Sequence, residues 1–335
     1  MYEKNLKACC VGVSEHMMEH LIPSLMQVEG IGVHAIASRD SQKRLALGNR
    51  YGVTAYASWK EAIFESEPDA VFVAGPPLLN FQVVRHCIEA HVPVFSEKPC
   101  ASSTEEVLSL LDAAQTQGAI VQIGYNFRRS TVFENLMSLQ DDLGRIRHLD
   151  VEFNSNKPTN LIWNADSVEE SFLLAVAIHP IEMISEICGP NYQAECDFVS
   201  LANKRFKYYL NAKSEFGSMR VAAGNNSQAL EVSFRAVYAS GDVAAADLGQ
   251  PHRIKFLPAP NSNIVDGVKS KEKAIDLTVQ RRSLSRDRYG QGYEAQTHDF
   301  VALVRLGLPN YEDLVSSLKA HSIIDLAKER HSANV

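Results

Sequence analysis

Lys98 and His179 are the two side chains of this sequence best suited to polarise an oxygen or move a proton. Lys98 closes the short apolar run VPVFSEKP and so ends a strand. At the carboxyl edge of a parallel sheet, its ammonium can hydrogen-bond a hydroxyl or carbonyl and stabilise alkoxide character. The plainer alternative is an exposed lysine paired with Glu97. His179 lies in the apolar helical run SFLLAVAIHPIEMISEI, and an unperturbed imidazole, with a pKa of about 6.5, exchanges protons at neutral pH. The alternative for it is a buried histidine satisfied by a backbone carbonyl. A third stretch, KACCVGVSEHMMEH, reads as a strand, a tight turn at Gly12 and a helix carrying Met17, Met18 and Leu21. That is how a βαβ dinucleotide site begins, although the G-x-G-x-x-G fingerprint stands here as Gly12, Ser14 and Met17.

Each change in that turn has a physical consequence. Ser14 adds a β-carbon, which costs about 1–2 kcal/mol if the position is left-handed. It also adds a hydroxyl, which can recover part of that loss by bonding a phosphate oxygen. Met17 replaces a small residue where helix meets strand, which predicts a helix standing off slightly. Glu15 is unfavourable beside phosphates, and a protonated His16 offsets it. At the end of the second strand the sequence reads IASRD, residues 36–40. Ser38 occupies the place of the acid that binds an adenosine ribose diol, and Arg39 follows. Serine and arginine bind a 2′-phosphate that a carboxylate would repel, so NADP(H) is expected over NAD(H). Such a charge-assisted hydrogen bond contributes about 1.5–3 kcal/mol, comparable with the proposed loss at Ser14. Asp40 or Ser41 can cap the following helix while Arg39 meets phosphate.

Two kinds of architecture are needed to position these groups. Strand runs at Ala8–Val13, Val33–Ala37, Ala70–Ala74, Pro93–Phe95 and Ile120–Ile123 alternate with helical patterns near 16–27, 41–51, 59–66, 79–90 and 104–117. Ser58-x-x-Glu61 and Ser103-x-x-Glu106 are capping boxes. Continuous apolar strands alternating with helices imply a doubly wound α/β domain, a parallel sheet covered on both faces, over residues 1–123. Beyond Gly124 one long helix, about Val168 to Cys188, is followed by strand-like runs at Glu195–Leu201, Phe206–Ala212, Met219–Ala223, Leu230–Tyr238 and Ile254–Leu257. Helices near 291–306 and 312–330 close the chain. Residues 124–335 are therefore expected to form an α+β domain around an antiparallel sheet. The stretch 258–273 reads as loop.

Composition narrows the partners. The 335 residues suggest two domains at roughly 150 residues each. With 45% hydrophobic and 22% charged residues, the chain has the composition of a soluble globular protein. The net charge of −7 argues against nucleic acid or an anionic membrane surface as main partner. No apolar run approaches the roughly 18 residues of a membrane span, and MYEKNLKACCVG lacks a signal-peptide core. The six cysteines show no metal-binding spacing and read as reduced core residues of a cytoplasmic protein; no metal is expected.

SEKP after a strand, GYNFRR after the next, HPIE on the long helix and Gly12 after the first strand together resemble the glucose–fructose oxidoreductase/inositol dehydrogenase family (Gfo/Idh/MocA), from Lys7 to about Leu326. The resemblance implies an N-terminal Rossmann domain and a second domain with a large open antiparallel sheet. The active site would lie in the crevice between them, in a homo-oligomer, a dimer or tetramer. It makes His179 the general base or acid beside the substrate. It also has Gly75, Pro76 and Pro77 line the cofactor, with Asn80 in place of a histidine often seen there. Tyr125, Asn126 and Arg128 would face cofactor and substrate. The implied cofactor contacts are Gly12, Ser14, Ser38, Arg39, Gly75, Pro76, Asn80, Glu97, Lys98 and Asn126; the implied substrate contacts are Lys98, Tyr125, Arg128 and His179. One departure stands out: where alcohol-oxidising members carry an aspartate one turn before the histidine, this chain has Ala175, with Ala177 between. His179 then works with Lys98 alone, or with help from Tyr125 or Asn126, or the dehydrogenase chemistry is absent. The expected function is NADP(H)-linked hydride transfer at a carbinol or carbonyl carbon of a sugar or nucleotide-sugar derivative. An imine or C=C reductase and a non-catalytic dinucleotide- or sugar-binding sensor or partner subunit are the alternatives. The run QRRSLSRDR, residues 280–288, could meet an anionic substrate, although such runs are more often a solvated face.

Overall fold

The computed structural model describes residues 5–260, 275–278 and 290–333; the run 280–288 and residues 261–273 of the expected loop lie outside them. The chain divides into two compact units, Met1–Asn126 with Tyr293–His321, and Phe127–Gly292 with Ser322–Val335. The first unit runs through Asn126 and takes in residues 293–321 as well.

The first unit is built on six strands: β1 (Leu6–Val11), β2 (Ile31–Ala37), β3 (Thr54–Tyr56), β4 (Ala70–Val73), β5 (Val94–Glu97) and β6 (Val121–Gly124). Their order is β3-β2-β1-β4-β5-β6, and every neighbouring pair is parallel. Every residue of β4, β5 and β6 is buried, as a sheet covered on both faces requires. The order reverses between β1 and β4, the switch point at which open α/β sheets bind ligands. Local chemistry starts the helices where the sequence indicates. Ser58 accepts from the Glu61 amide and Ser103 from the Glu106 amide, while Asp40 caps the Ser41–Tyr51 helix. The returning helix Tyr293–Leu306 completes the core. Its Phe300, fully buried, meets the rings of Phe72 and Phe95 edge-on at 5.2 and 5.8 Å. Behind it, Asp313 accepts the Ile123 amide at 3.0 Å.

The second unit holds β7 (Ile146–Asn154), β8 (Gln193–Leu201), β9 (Arg205–Lys213), β10 (Ser218–Gly224), β11 (Glu231–Tyr238), β12 (Val243–Asp247), β13 (Arg253–Leu257) and β14 (Ile275–Thr278). They form one sheet in the order β14-β13-β12-β11-β7-β10-β9-β8. All neighbours are antiparallel except β7 and β10, which run parallel. Burial alternates along β9 and β11, so one face is apolar and the other polar. The Val168–Cys188 helix serves the apolar face: its Phe172 packs edge-on against Phe206 of β9 at 5.3 Å. Contrary to the reading from apolar runs, this helix is long and apolar enough to cross a membrane. With 78% of its apolar window buried within the protein, it is a core helix.

Candidate active site

At the turn after β1, Gly12 has φ +78°, and a β-carbon on it would come within 2.6 Å of the Ala74 carbonyl oxygen. Only glycine lets the two strand ends approach this closely. Ser14 is not among the residues with positive φ, so the left-handed cost anticipated for it does not arise. It starts the helix instead: its Oγ accepts from the Met17 amide and its carbonyl from the Met18 amide, both at 3.2 Å. A serine hydroxyl that accepts one bond still has its own proton to donate, so a phosphate oxygen can be met here. Met17 is fully buried in the core, and the helix winds as a π turn over Met17–Leu21.

His16 turns toward β5. Its Nε2 lies 3.2 Å from Glu97 Oε1, an ion-pair contact without hydrogen-bond alignment. The carboxylate is buried over β6, where a β-carbon on Gly124 would stand 2.6 Å from Oε1. Beside this pair, the rings of His20 and Tyr293 stack at 4.5 Å.

At the end of β2, Ser38 donates its amide to Tyr56 and accepts Arg44 Nη1 on its carbonyl at 2.8 Å. Asp40 Oδ1 accepts the Gln42 and Lys43 amides, each at 3.0 Å, so this carboxylate caps the following helix. Arg39 is exposed. Arg44 is a second guanidinium that sequence reasoning missed. The signal was available, an arginine one turn inside a helix capped by Asp40.

The loop after β4 and the end of β5 are joined by Asn80. It is fully buried; its Oδ1 accepts the Gly75 amide at 2.9 Å, and its Nδ2 donates to the Glu97 and Pro99 carbonyls at 3.0 Å each. Pro76 precedes the Pro77–Glu89 helix and accepts the Asn80 amide. Lys98 is partly buried. Withdrawal from water pulls its pKa down to about 8, with the Glu97 charge opposing the shift. An amine that titrates near neutrality can both donate and take a proton. Two residues further on, the Ala101 carbonyl faces His321 Nε2 at 3.2 Å. Tyr125 is nearly fully buried, with its hydroxyl 2.8 Å from Ser317 Oγ; Asn126 is also buried. Gly12, Ser14, Ser38, Arg39, Gly75, Pro76, Glu97 and Lys98 all lie at the carboxyl ends of β1, β2, β4 and β5 or just beyond them.

The second unit holds His179, 6% exposed. Phe127 meets its ring edge-on at 4.7 Å, and Phe153 of β7 lies nearly parallel to it at 6.0 Å. Ala175 falls inside a π turn, Leu173–Ala177, that leads directly into the helical turn bearing His179. Position 175 offers no carboxylate, and two aromatic rings pack against this imidazole. Arg128 forms ion pairs with Glu182 at 3.3 Å and Glu186 at 3.4 Å on the same helix, and its side chain is only 10% exposed. The partners of this expected substrate contact went unnoticed in the sequence, although Glu182 belongs to the quoted HPIE.

A nicotinamide dinucleotide fits the first unit's residues: the Gly12 turn has no room for a side chain, and Ser14 keeps a hydroxyl donor at the helix start. Residues 6–125 match the GFO_IDH_MocA family, described as an oxidoreductase family with an NAD-binding Rossmann fold. An uncharacterized oxidoreductase, ORF334, of Rhizobium meliloti is 28% identical over 175 residues, 51% of this chain and 52% of the relative. The dTDP-3,4-didehydro-2,6-dideoxy-alpha-D-glucose 3-reductase of Streptomyces violaceoruber is 22% identical over 188 residues, 55% of each chain. This chain thus spans about half the length of these curated relatives. A dehydrogenase of Chromobacterium violaceum shares the fold, with TM-score 0.87 over 99% of this chain and 96% of that one at 23% identity.

Proposed function

We propose, from the match of residues 6–125 to the Gfo/Idh/MocA oxidoreductase family, that this chain is an NADP(H)-dependent oxidoreductase acting on a carbinol or carbonyl carbon of a sugar or nucleotide-sugar derivative. One observation carries the reading: Gly12, Ser38, Gly75 and Lys98 follow or end four parallel strands at a single sheet edge, at the switch point between β1 and β4. When bound, the nicotinamide supplies or accepts the hydride. Gly12 and Ser14 hold the pyrophosphate. Ser38, Arg39 and Arg44 favour a 2′-phosphate over a bare ribose diol, since guanidinium groups bind phosphate through charge-assisted bonds. Lys98 polarises the reacting oxygen and stabilises its alkoxide character, and His179 exchanges its proton. The relative named as a dTDP-sugar reductase supports the substrate class.

The six cysteines are buried free thiols, which suits a reducing, cytoplasmic setting. We place homo-oligomer contacts on the polar face of the second unit's sheet. There Lys255, Ala245, Arg235, Asp150 and Arg220 form one cross-strand row, and Asp247, Ser233 and Glu152 form another. Light scattering of the purified protein decides this; a monomer at micromolar concentration overturns it.

Ala175 favours a second reading, either reduction of an imine or C=C bond or dinucleotide binding without turnover. Thermal unfolding with NADP(H) and NAD(H), followed by a turnover screen over sugars and nucleotide sugars, separates these. A larger Tm rise with NADP(H) plus turnover lost in Lys98→Met supports the oxidoreductase. A Tm rise without any turnover supports the binder, and no rise with either cofactor overturns both.

A further inference from the structure

We propose that Asn80 is a positioning residue that fixes Lys98 by holding the backbone on both sides of it. The inference rests on the reading of Lys98 as the polarising group. The Asn80 amide makes three hydrogen bonds, all to backbone. It accepts from Gly75 after β4 and donates to Glu97 and Pro99, the two neighbours of Lys98. The residue is fully buried, so it acts through the chain it holds rather than by touching cofactor or substrate. Asn80 was expected among the cofactor contacts; here its amide is spent inside the protein.

The donor inventory explains why an amide is needed. One acceptor facing an N–H and two donors facing carbonyls, on so short a side chain, match asparagine alone. Aspartate would set an oxygen 3.0 Å from two carbonyl oxygens; alanine would take the side-chain partner from the part-buried Gly75 amide and the Pro99 carbonyl, and leave the Glu97 carbonyl with Ser96 Oγ alone. Histidine keeps one acceptor and, when neutral, a single donor. With the carbonyls of Glu97 and Pro99 held by Asn80 and that of Ala101 facing His321, alternate residues of the loop are clamped. The long Lys98 side chain then leaves the backbone in a fixed direction, partly out of water.

Trace labelling with acetic anhydride across pH 6–11, read by mass spectrometry on the Lys98 peptide, tests this without turnover. In the native protein Lys98 should titrate near 8. In Asn80→Ala the loop is released, the ammonium reaches water, and the apparent pKa should rise by about one unit or more toward the ordinary lysine value of about 10.4. The peptides of the exposed Lys43 and Lys60 should label as in the native protein. Asn80→His should shift less, and it serves as the test if Asn80→Ala does not fold. A folded Asn80→Ala, or in its absence a folded Asn80→His, whose Lys98 labels as in the native protein overturns the proposal. If the labelling shifts but Lys98→Met leaves turnover intact, the positioning stands and the catalytic reading of Lys98 falls.

Discussion

Lys98 carries its charge at a cost that can be measured. The folded protein favours its neutral form below the ordinary range, while the unfolded chain keeps the proton to about 10.5. Between these values the unfolded chain binds more protons, so stability rises with pH; below about 8 the full penalty is present. Lys98→Met should therefore stabilise the protein by roughly 3 kcal/mol at pH 7, fading toward pH 10.5. Urea unfolding at the two pH values checks this, and equal gains at both would refute it. Arg44→Met should leave NADH binding unchanged and weaken NADPH by about 10-fold, as loss of one charge-assisted bond implies; fluorescence titration of both nucleotides reads the ratio. At this scale the sequence made Gly12, Lys98 and His179 visible, because strand ends and helix runs declare themselves locally. The use of Asn80 and Arg128 stayed hidden. Their partners are set by which distant segments meet, Glu97 and Pro99 for one, Glu182 and Glu186 for the other.

The helix bearing His179 is secured at its start by Ser167, whose hydroxyl accepts the Glu170 amide at 3.0 Å, and by Glu170 itself. Glu170 accepts the Asp166 amide at 2.8 Å and Lys328 Nζ at 2.5 Å. Burial pushes this carboxyl toward the neutral form, but the bonds from Lys328 and Asp166 prevail and its pKa is lowered. A depressed carboxyl stabilises the fold above its unfolded pKa of about 4.3 and loses that contribution as pH falls through the folded value. Glu170→Gln should cost about 1 kcal/mol at pH 7 and nothing near pH 2, as thermal melts at both pH values would show. Caps at Ser58, Ser103 and Asp40 were legible because donor and acceptor lie within one turn. The strands β3 and β12 were not. Three residues make β3 too short to show a pattern, and VAAAD in β12 has little β-propensity, whereas β7 carries a readable alternation over LDVEFN that sequence reasoning missed. The parallel pairing of β7 with β10 joins segments separated by a helix and two strands, and no local pattern encodes it.

At the scale of the whole chain, the first unit is discontinuous. Residues 1–126 depend on 293–321 to cover Phe72 and Phe95 with Phe300 and to receive the Ile123 amide on Asp313. Phe300→Ala should destabilise this unit by about 3–5 kcal/mol, measured by calorimetry as a loss of Tm that a bound nicotinamide dinucleotide partly restores. A fragment of residues 1–126 should fail to melt cooperatively; a sharp transition from it would show that the returning segment is dispensable. Two-domain order was readable from the change of strand pattern after Gly124, but the return was not, since an amphipathic helix does not announce which sheet it will cover. The split also orders events at the ribosome. The nucleotide half emerges first yet lacks its last layer until about 195 further residues follow, roughly 10–40 s at ordinary elongation rates of about 5–20 residues per second. Through that interval nascent chains hold an unfinished sheet, which makes them natural clients for chaperones and makes translation speed over the second half a determinant of yield.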